Sequence, residues 1–271
     1  MFRKMSLPSR LSAIFLATLI IGALFAPWVA PYSYERQDIG HTLATPDRTH
    51  WMGTDQLGRD VFSRMVYGAR ISLFIGVFTT LVAVVIGTVY GAISGYAGGR
   101  TDNVMMRLVD VVFALPDLLM IILIMVVLGR GLTGIFLALT LVSWVTVARL
   151  VRGEVLRIRE LTYIEAARAL GASHGHIVFH EILPNIWSVL IVTLTFRIPV
   201  AILAESTLSF IGLGLAPPFS SWGTLASDGW TAIKFYPHLI LFPSLAIFLT
   251  ILSFNFLGEG LRDWLDPQKR V

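Results

Sequence analysis

The strongest constraint on this chain is a set of long apolar runs, at Leu11–Ala30, Ile71–Gly95, Val104–Leu128, Leu132–Ala148, Ile186–Phe210 and His238–Leu257, most of them without a charged residue. Each approaches or exceeds the roughly 18–20 residues that a helix needs to cross the hydrocarbon of a bilayer. A chain of 271 residues that is 55% hydrophobic and only 14% charged has too little polar surface to cover a soluble core of that size. The expectation is an all-α, polytopic membrane bundle of about six helices.

The basic residues lie between these runs and form no continuous tract, so the formal charge of +4 reads as a topology signal and not as a nucleic-acid footprint. The first run follows Arg3, Lys4 and Arg10, as the apolar region of a secretory signal would. It is long for such a region, and Pro31 follows the one plausible small-residue cleavage site, so an uncleaved anchor is expected. Alternating the loops puts about 13 Lys/Arg on the side of the two termini and about 7 on the other, which predicts cytoplasmic termini.

Two segments exceed what a connector needs. Pro31–Arg70 is external in this scheme and mixed in charge; Arg149–Pro184 is internal and carries a helical pattern. The expected organisation is an anchor helix with an extracytoplasmic segment over 1–70, a helical core over 71–258 that contains the 149–184 loop, and a cytoplasmic tail over 259–271. Gly87, Gly91, Gly95 and Gly99 recur every fourth residue, a flat stripe suited to close helix packing or to a sliding contact between subunits.

Several chemistries are excluded or weak. The chain has no cysteine, which removes disulfides, thiolate nucleophiles and thiol-bound metal. Its lysines are Lys4, Lys234 and Lys269, none after a glycine, so there is no phosphate-cradling loop and no ATP hydrolysis by this chain. His180-Glu181 begins like a zinc-protease helix, but Pro184 stands where the second histidine belongs. His174, His176 and His180 read as a polar loop face rather than a metal site, since no carboxylate or cysteine completes a ligand set.

Arg197 and Glu205 lie inside the fifth run. At a span's centre a charge of this kind costs about 2.5–3.5 kcal/mol, while each large aliphatic side chain returns about 0.3–0.6. Both must face the bundle interior or a watered cavity, where they either line a pathway or lock neighbouring helices together. Two helical turns separate them, too far for a direct pair. Arg107 and Asp110, three residues apart, predict a local ion pair at the membrane interface.

The internal loop reads Glu165-Ala166-Ala167-Arg168-Ala169-Leu170-Gly171 and continues to Ile182-Leu183-Pro184. It resembles the EAA motif of ATP-binding-cassette (ABC) importer permeases, with Glu165, Ala166, Ala167, Gly171, Leu183 and Pro184 in register and Glu181 in the place of the motif's isoleucine. Small residues on such a helix let a partner surface approach closely, and Gly171 lets the chain turn. A second block, Gly53-Thr54-Asp55-Gln56-Leu57-Gly58-Arg59-Asp60 followed by Ser63-Arg64 and Tyr67-Gly68-Ala69-Arg70, looks like the C-type permease of the oligopeptide, dipeptide and nickel transport family. Further matches are Leu203-Ala204-Glu205, Ser209-Phe210-Ile211-Gly212-Leu213-Gly214, Ser221-Trp222-Gly223, Gly260-Leu261-Arg262-Asp263 and Leu265-Asp266-Pro267.

The resemblance implies the type I ABC importer permease fold in a bacterial inner (plasma) membrane. It further implies a second homologous permease, two ABC ATPase subunits or domains, and an extracytoplasmic solute-binding protein that docks on the Pro31 segment and the Leu213–Pro237 loop. The chain itself would then hold no cofactor, ATP and Mg being used by the ATPases, and its only other partner would be membrane lipid. Di- and oligopeptides are the expected solutes, with nickel or a metal chelate as the alternative within the family. The alternative outside it, an ion-coupled secondary transporter, would show inverted repeats, and no convincing repeat is present.

Overall fold

The computed structural model describes residues 6–265, and there the chain is helices and connectors. Helix α1 (Leu7–Leu24) is capped by Ser6, whose hydroxyl accepts from the Ser9 N–H, and has Pro8 in its first turn, where no donor is lost. It breaks at Phe25 ahead of Pro27, and a short α2 (Ala26–Val29) follows. After an irregular segment, α3 (Val61–Ala97) runs for 37 residues, about 55 Å, from an Asp60 cap. Then come α4 (Gly99–Phe113), α5 (Asp117–Leu128), α6 (Leu132–Ile158), α7 (Thr162–Ala169) and α8 (His174–His176). A π-helical stretch, Ile177–Ile182, leads into α9 (Leu183–Phe210), followed by α10 (Trp222–Thr231) and α11 (His238–Leu265).

Five stretches among the described residues are long and apolar enough to span a membrane, and α4 with α5 makes a sixth only as a pair bent by 84°. The run Val104–Leu128 is thus divided between two helices, α4 and α5, with the break at Ala114–Pro116. Pro116 lacks the N–H that would continue the helix and disfavours helical geometry at Leu115. Helix α1 stops at Leu24, short of Ala30, whereas α3, α6, α9 and α11 run past their apolar runs, so the boundary expected at 70/71 falls inside α3 and that at 258/259 inside α11. Arg3, Lys4, Asp266, Pro267 and Lys269 lie outside the described residues.

The glycine stripe is used within the chain. A Cβ on Gly87 would sit 2.6 Å from Val147 Cβ, one on Gly91 2.9 Å from Val151 Cβ, and one on Gly95 3.0 Å from Val155 Cβ. These three residues press α3 onto α6, which overturns the sliding contact between subunits. Gly99 is not part of the stripe: α3 has ended, Gly99 sits at φ +56°, and nothing approaches it.

Three apolar clusters hold the bundle. One joins α1, α3, α9, α10 and α11 through Leu16, Met65, Ile202, Trp222 and Phe254. Another joins the far ends of α3 and α6 to the loop beyond them through Val151, Val155, Ile158, Ile164, Ile177 and Ile182. The third packs α5 on α6 through Ile121, Met125, Ile135 and Leu139. Large apolar side chains such as Val85, Val89, Val126 and Val127 point outward, as lipid contact requires.

Candidate functional site

The motif residues of the 149–184 loop fold into a small scaffold that buries its aliphatic anchors and presents the rest. Helix α7 carries Glu165, Ala166 and Ala167; Ile164 is its one buried residue, while Glu165 and Ala166 are exposed. The helix ends in a Schellman turn, with the Gly171 N–H donating to the Arg168 carbonyl and the Ala172 N–H to that of Ala167. Gly171 is left-handed at φ +83° with open space around it, so the position demands a glycine for its backbone and not for room. Leu170, just before it, is 88% exposed.

The return to the bundle explains the departure from the motif at Glu181. Ile177–Ile182 is π-helical, and i→i+5 pairing brings residues five apart toward one face. Ile177 and Ile182 are both fully buried against Val155, Ile158 and Ile164. Ile182 thus does the packing, one place later than the motif has its isoleucine, and Glu181 is left at the surface edge. Leu183 and Pro184 open α9, with the proline in the first turn. Asn185 Nδ2 donates to Tyr163 Oη at 3.1 Å and ties α9 to α7. Burial, then the nearby Glu181 carboxylate, holds the Tyr163 phenol above its usual range. His174 bonds Tyr96 Oη at 2.9 Å, His176 and His180 stack on each other, and no metal-holding group of His, Cys, Asp or Glu occurs among the described residues.

Glu205 and Arg197 are both placed inside the bundle, without an ion pair between them among the described residues. Glu205 is fully buried; its carboxylate accepts from Ser209 Oγ at 2.8 Å and Ser72 Oγ at 3.3 Å. Ser72 Oγ in turn accepts from the Trp222 N–H, so the carboxylate joins α9, α3 and α10. Arg197 is half-buried and donates to the Ser143 carbonyl of α6 at 2.9 Å. The local pair expected between Arg107 and Asp110 is replaced by one across helices: Asp110 bonds Arg149 of α6 at 2.6 Å, because α4 lies against α6.

At the other end of α3, the second block builds a buried polar cluster that sequence reasoning did not foresee. Asp55 accepts from the Leu57 and Arg59 N–H groups, from Arg59 Nε at 2.7 Å and from Arg64 Nη1 at 2.5 Å. Arg64 also reaches Asp228 of α10 at 3.1 Å. Gly58, at φ +69°, lets the segment turn where a Cβ would run into the Asp38 carbonyl. Between this segment and the loop around α10 lies a cavity of about 810 Å³, lined among others by Glu35, Arg59, Arg64, Ser209, Phe219 and Asp228. No spacing in the sequence points to Asp228; it is brought there by the fold.

Comparison with known proteins bears on both regions. The family model for a binding-protein-dependent transport system inner membrane component matches residues 87–271, and a model for the N-terminal transmembrane domain of oligopeptide transport permease C matches residues 9–46. The oligopeptide transport system permease protein OppC of Bacillus subtilis is 45% identical over 95% of this chain and 84% of its own length. The dipeptide transport system permease protein DppC of the same organism is 47% identical over 93% of this chain and 79% of its own length. Among solved structures, an inward-facing MetNI methionine ABC transporter aligns with a TM-score of 0.64 at 19% identity, covering 76% of this chain and 97% of that one. At that identity the likeness speaks for the fold alone.

Proposed function

The chain belongs to the family of binding-protein-dependent transport system inner membrane components, and from that premise we propose that it is the permease subunit through which an ABC importer brings di- and oligopeptides into the cytoplasm. The observation that carries this reading is the scaffold around α7, where Ile164, Ile177 and Ile182 are buried while Glu165, Ala166 and Leu170 project. A helix held so firmly from beneath and so bare on top is a docking knob for another protein. Its small residues let an ATPase approach closely, and its buried anchors pass any push to the ends of α3 and α6. The peptide substrate is supported by the likeness to oligopeptide and dipeptide permeases.

In this reading both termini and α7 are cytoplasmic, and the chain lies in the bacterial inner membrane beside a second, related permease. Two ATPase subunits or domains bind and hydrolyse MgATP; this chain performs no catalysis. A solute-binding protein docks outside, over the segment from Pro31 and the loop from Leu213 to Pro237, so that the cavity between them receives the solute. Binding of ATP draws the ATPases together, the α7 scaffolds move, and the paired permeases open outward; hydrolysis returns them to the inward-open state. Glu205, closed off from solvent, locks α3, α9 and α10 together, and Arg197 remains the charged side chain available to a pathway. The segment before α3 serves as anchor with outer docking segment, and the helices from α3 to α11 as permease core.

The test is uptake of labelled di- and oligopeptides, beside labelled nickel, in cells deleted for this chain alone. Loss of peptide uptake restored by the wild-type chain supports the proposal. Loss of nickel uptake alone overturns the substrate, and uptake that persists without any partner ATPase overturns the coupling.

A further inference from the structure

Helix α4 is attached to the rest of the bundle in an unusual way. Along it the buried residues are Asp102 and Val109, while Val104, Leu108 and Val111 are 59–69% exposed. Apolar packing therefore contributes little to its position, and polar links do most of the work. Asp102 receives a two-pronged ion pair from Arg152 of α6, Nε to Oδ1 at 2.5 Å and Nη2 to Oδ2 at 2.6 Å, with Ser94 Oγ of α3 adding a third donor. One turn earlier on α6, Arg149 bonds Asp110 and lies over the Phe113 ring at 3.9 Å. Tyr90 Oη of α3 donates to the Met105 carbonyl at 2.8 Å.

The same turns of α6 face two ways. Val151, Val155 and Ile158 pack on Ile164, Ile177 and Ile182 of the α7 scaffold, while Arg149 and Arg152 hold α4. Beyond Phe113 the chain bends by 84° into α5, whose Ile121 and Met125 pack on the other half of α6. A two-pronged guanidinium–carboxylate pair fixes orientation as well as distance, so a rotation or shift of α6 is passed to α4 rather than lost as slippage between greasy faces. We infer that Asp102–Arg152, seconded by Asp110–Arg149, is the linkage that carries displacement of the α7 scaffold into the bent α4–α5 pair. These are positioning residues: they touch neither solute nor nucleotide. The inference rests on the proposed role of α7 as the ATPase-driven element.

The experiment uses the assembled transporter in proteoliposomes with its ATPases and binding protein, and reads peptide imported per ATP hydrolysed. Asp102→Asn is expected to leave hydrolysis within about twofold of wild type and to lower import per ATP by about tenfold, inside the range of ordinary couplings between sites. Asp110→Asn, at the exposed pair, should lower the ratio less. Because Asp102→Asn leaves Arg152 without its partner, the double variant Asp102→Asn/Arg152→Met, which removes both charges, separates linkage from misfolding. A ratio that stays low in the double variant supports the inference. A ratio restored there, or import and hydrolysis falling in proportion in every variant, overturns it. A wild-type transporter that hydrolyses ATP but imports no peptide overturns the functional reading, and this inference with it.

Discussion

Glu205 of α9 and Ser72 of α3, 133 residues apart in sequence, meet at 3.3 Å in a site closed to solvent. Ser209 completes the carboxylate's shell from the next turn, and Ser72 passes the connection to the Trp222 backbone. A polar group that the membrane disfavours is thereby supplied with fixed hydrogen-bond partners in place of water.

Removing that carboxylate should therefore loosen the bundle. Glu205→Ala leaves Ser72 and Ser209 without their acceptor, at about 1–3 kcal/mol for each buried group orphaned. Glu205→Gln keeps an acceptor oxygen and should cost less. Thermal unfolding of the detergent-purified protein should rank wild type, Gln and Ala in falling order; equal midpoints for the two variants would contradict this.

Two helical glycines should respond in opposite directions. Gly91→Ala drives a Cβ into Val151 and the Ala148 carbonyl, an overpacking that costs about 1–3 kcal/mol. Gly153, on α6, has nothing within reach of an added Cβ, so Gly153→Ala should stabilise by about 0.5–1 kcal/mol through helix propensity alone. Denaturation of the two single variants checks the contrast in sign.

The acidic partners of Arg64 should differ in weight. Asp55 is buried and saturated by donors, whereas Asp228 is 47% exposed. Asp55→Asn breaks a buried ion pair and should cost about 3–5 kcal/mol. Asp228→Asn should cost under about 1 kcal/mol, its pair being screened by water. Comparable losses in the two variants would show that the cluster is not organised around Asp55.

On α7, the exposure of the Glu165 side chain predicts function lost with stability kept. Glu165→Lys should insert and unfold as wild type, within about 0.5 kcal/mol, yet fail to retain the ATPase on co-purification. Gly171→Asn should be milder than Gly171→Ala, because asparagine tolerates the left-handed backbone that the Schellman turn requires. Full ATPase recovery with Glu165→Lys would remove α7 from the docking surface.

Much of this protein was legible in its sequence because the information is local. Spans follow from the requirement that a segment in lipid pair its own backbone groups, a property of some twenty consecutive residues. The α7 motif is likewise local: Glu165 to Pro184 is one short stretch, and the glycine that ends the helix does so through its own backbone. The bend at Pro116 was also written locally, but the apolar run across it concealed it.

What only the tertiary structure decided is which distant groups meet. Asp228 finds Arg64 across 164 residues, Asp102 finds Arg152 across 50, and Asp110 takes Arg149 rather than its own neighbour Arg107. The glycine stripe announced a close helix contact, but that its partner is α6 of the same chain followed from the packing alone. Hydropathy and spacing record what each segment needs from its surroundings. Which donor answers a buried charge depends on the order in which helices stack, and that order is set by the summed fit of side chains far apart in the chain.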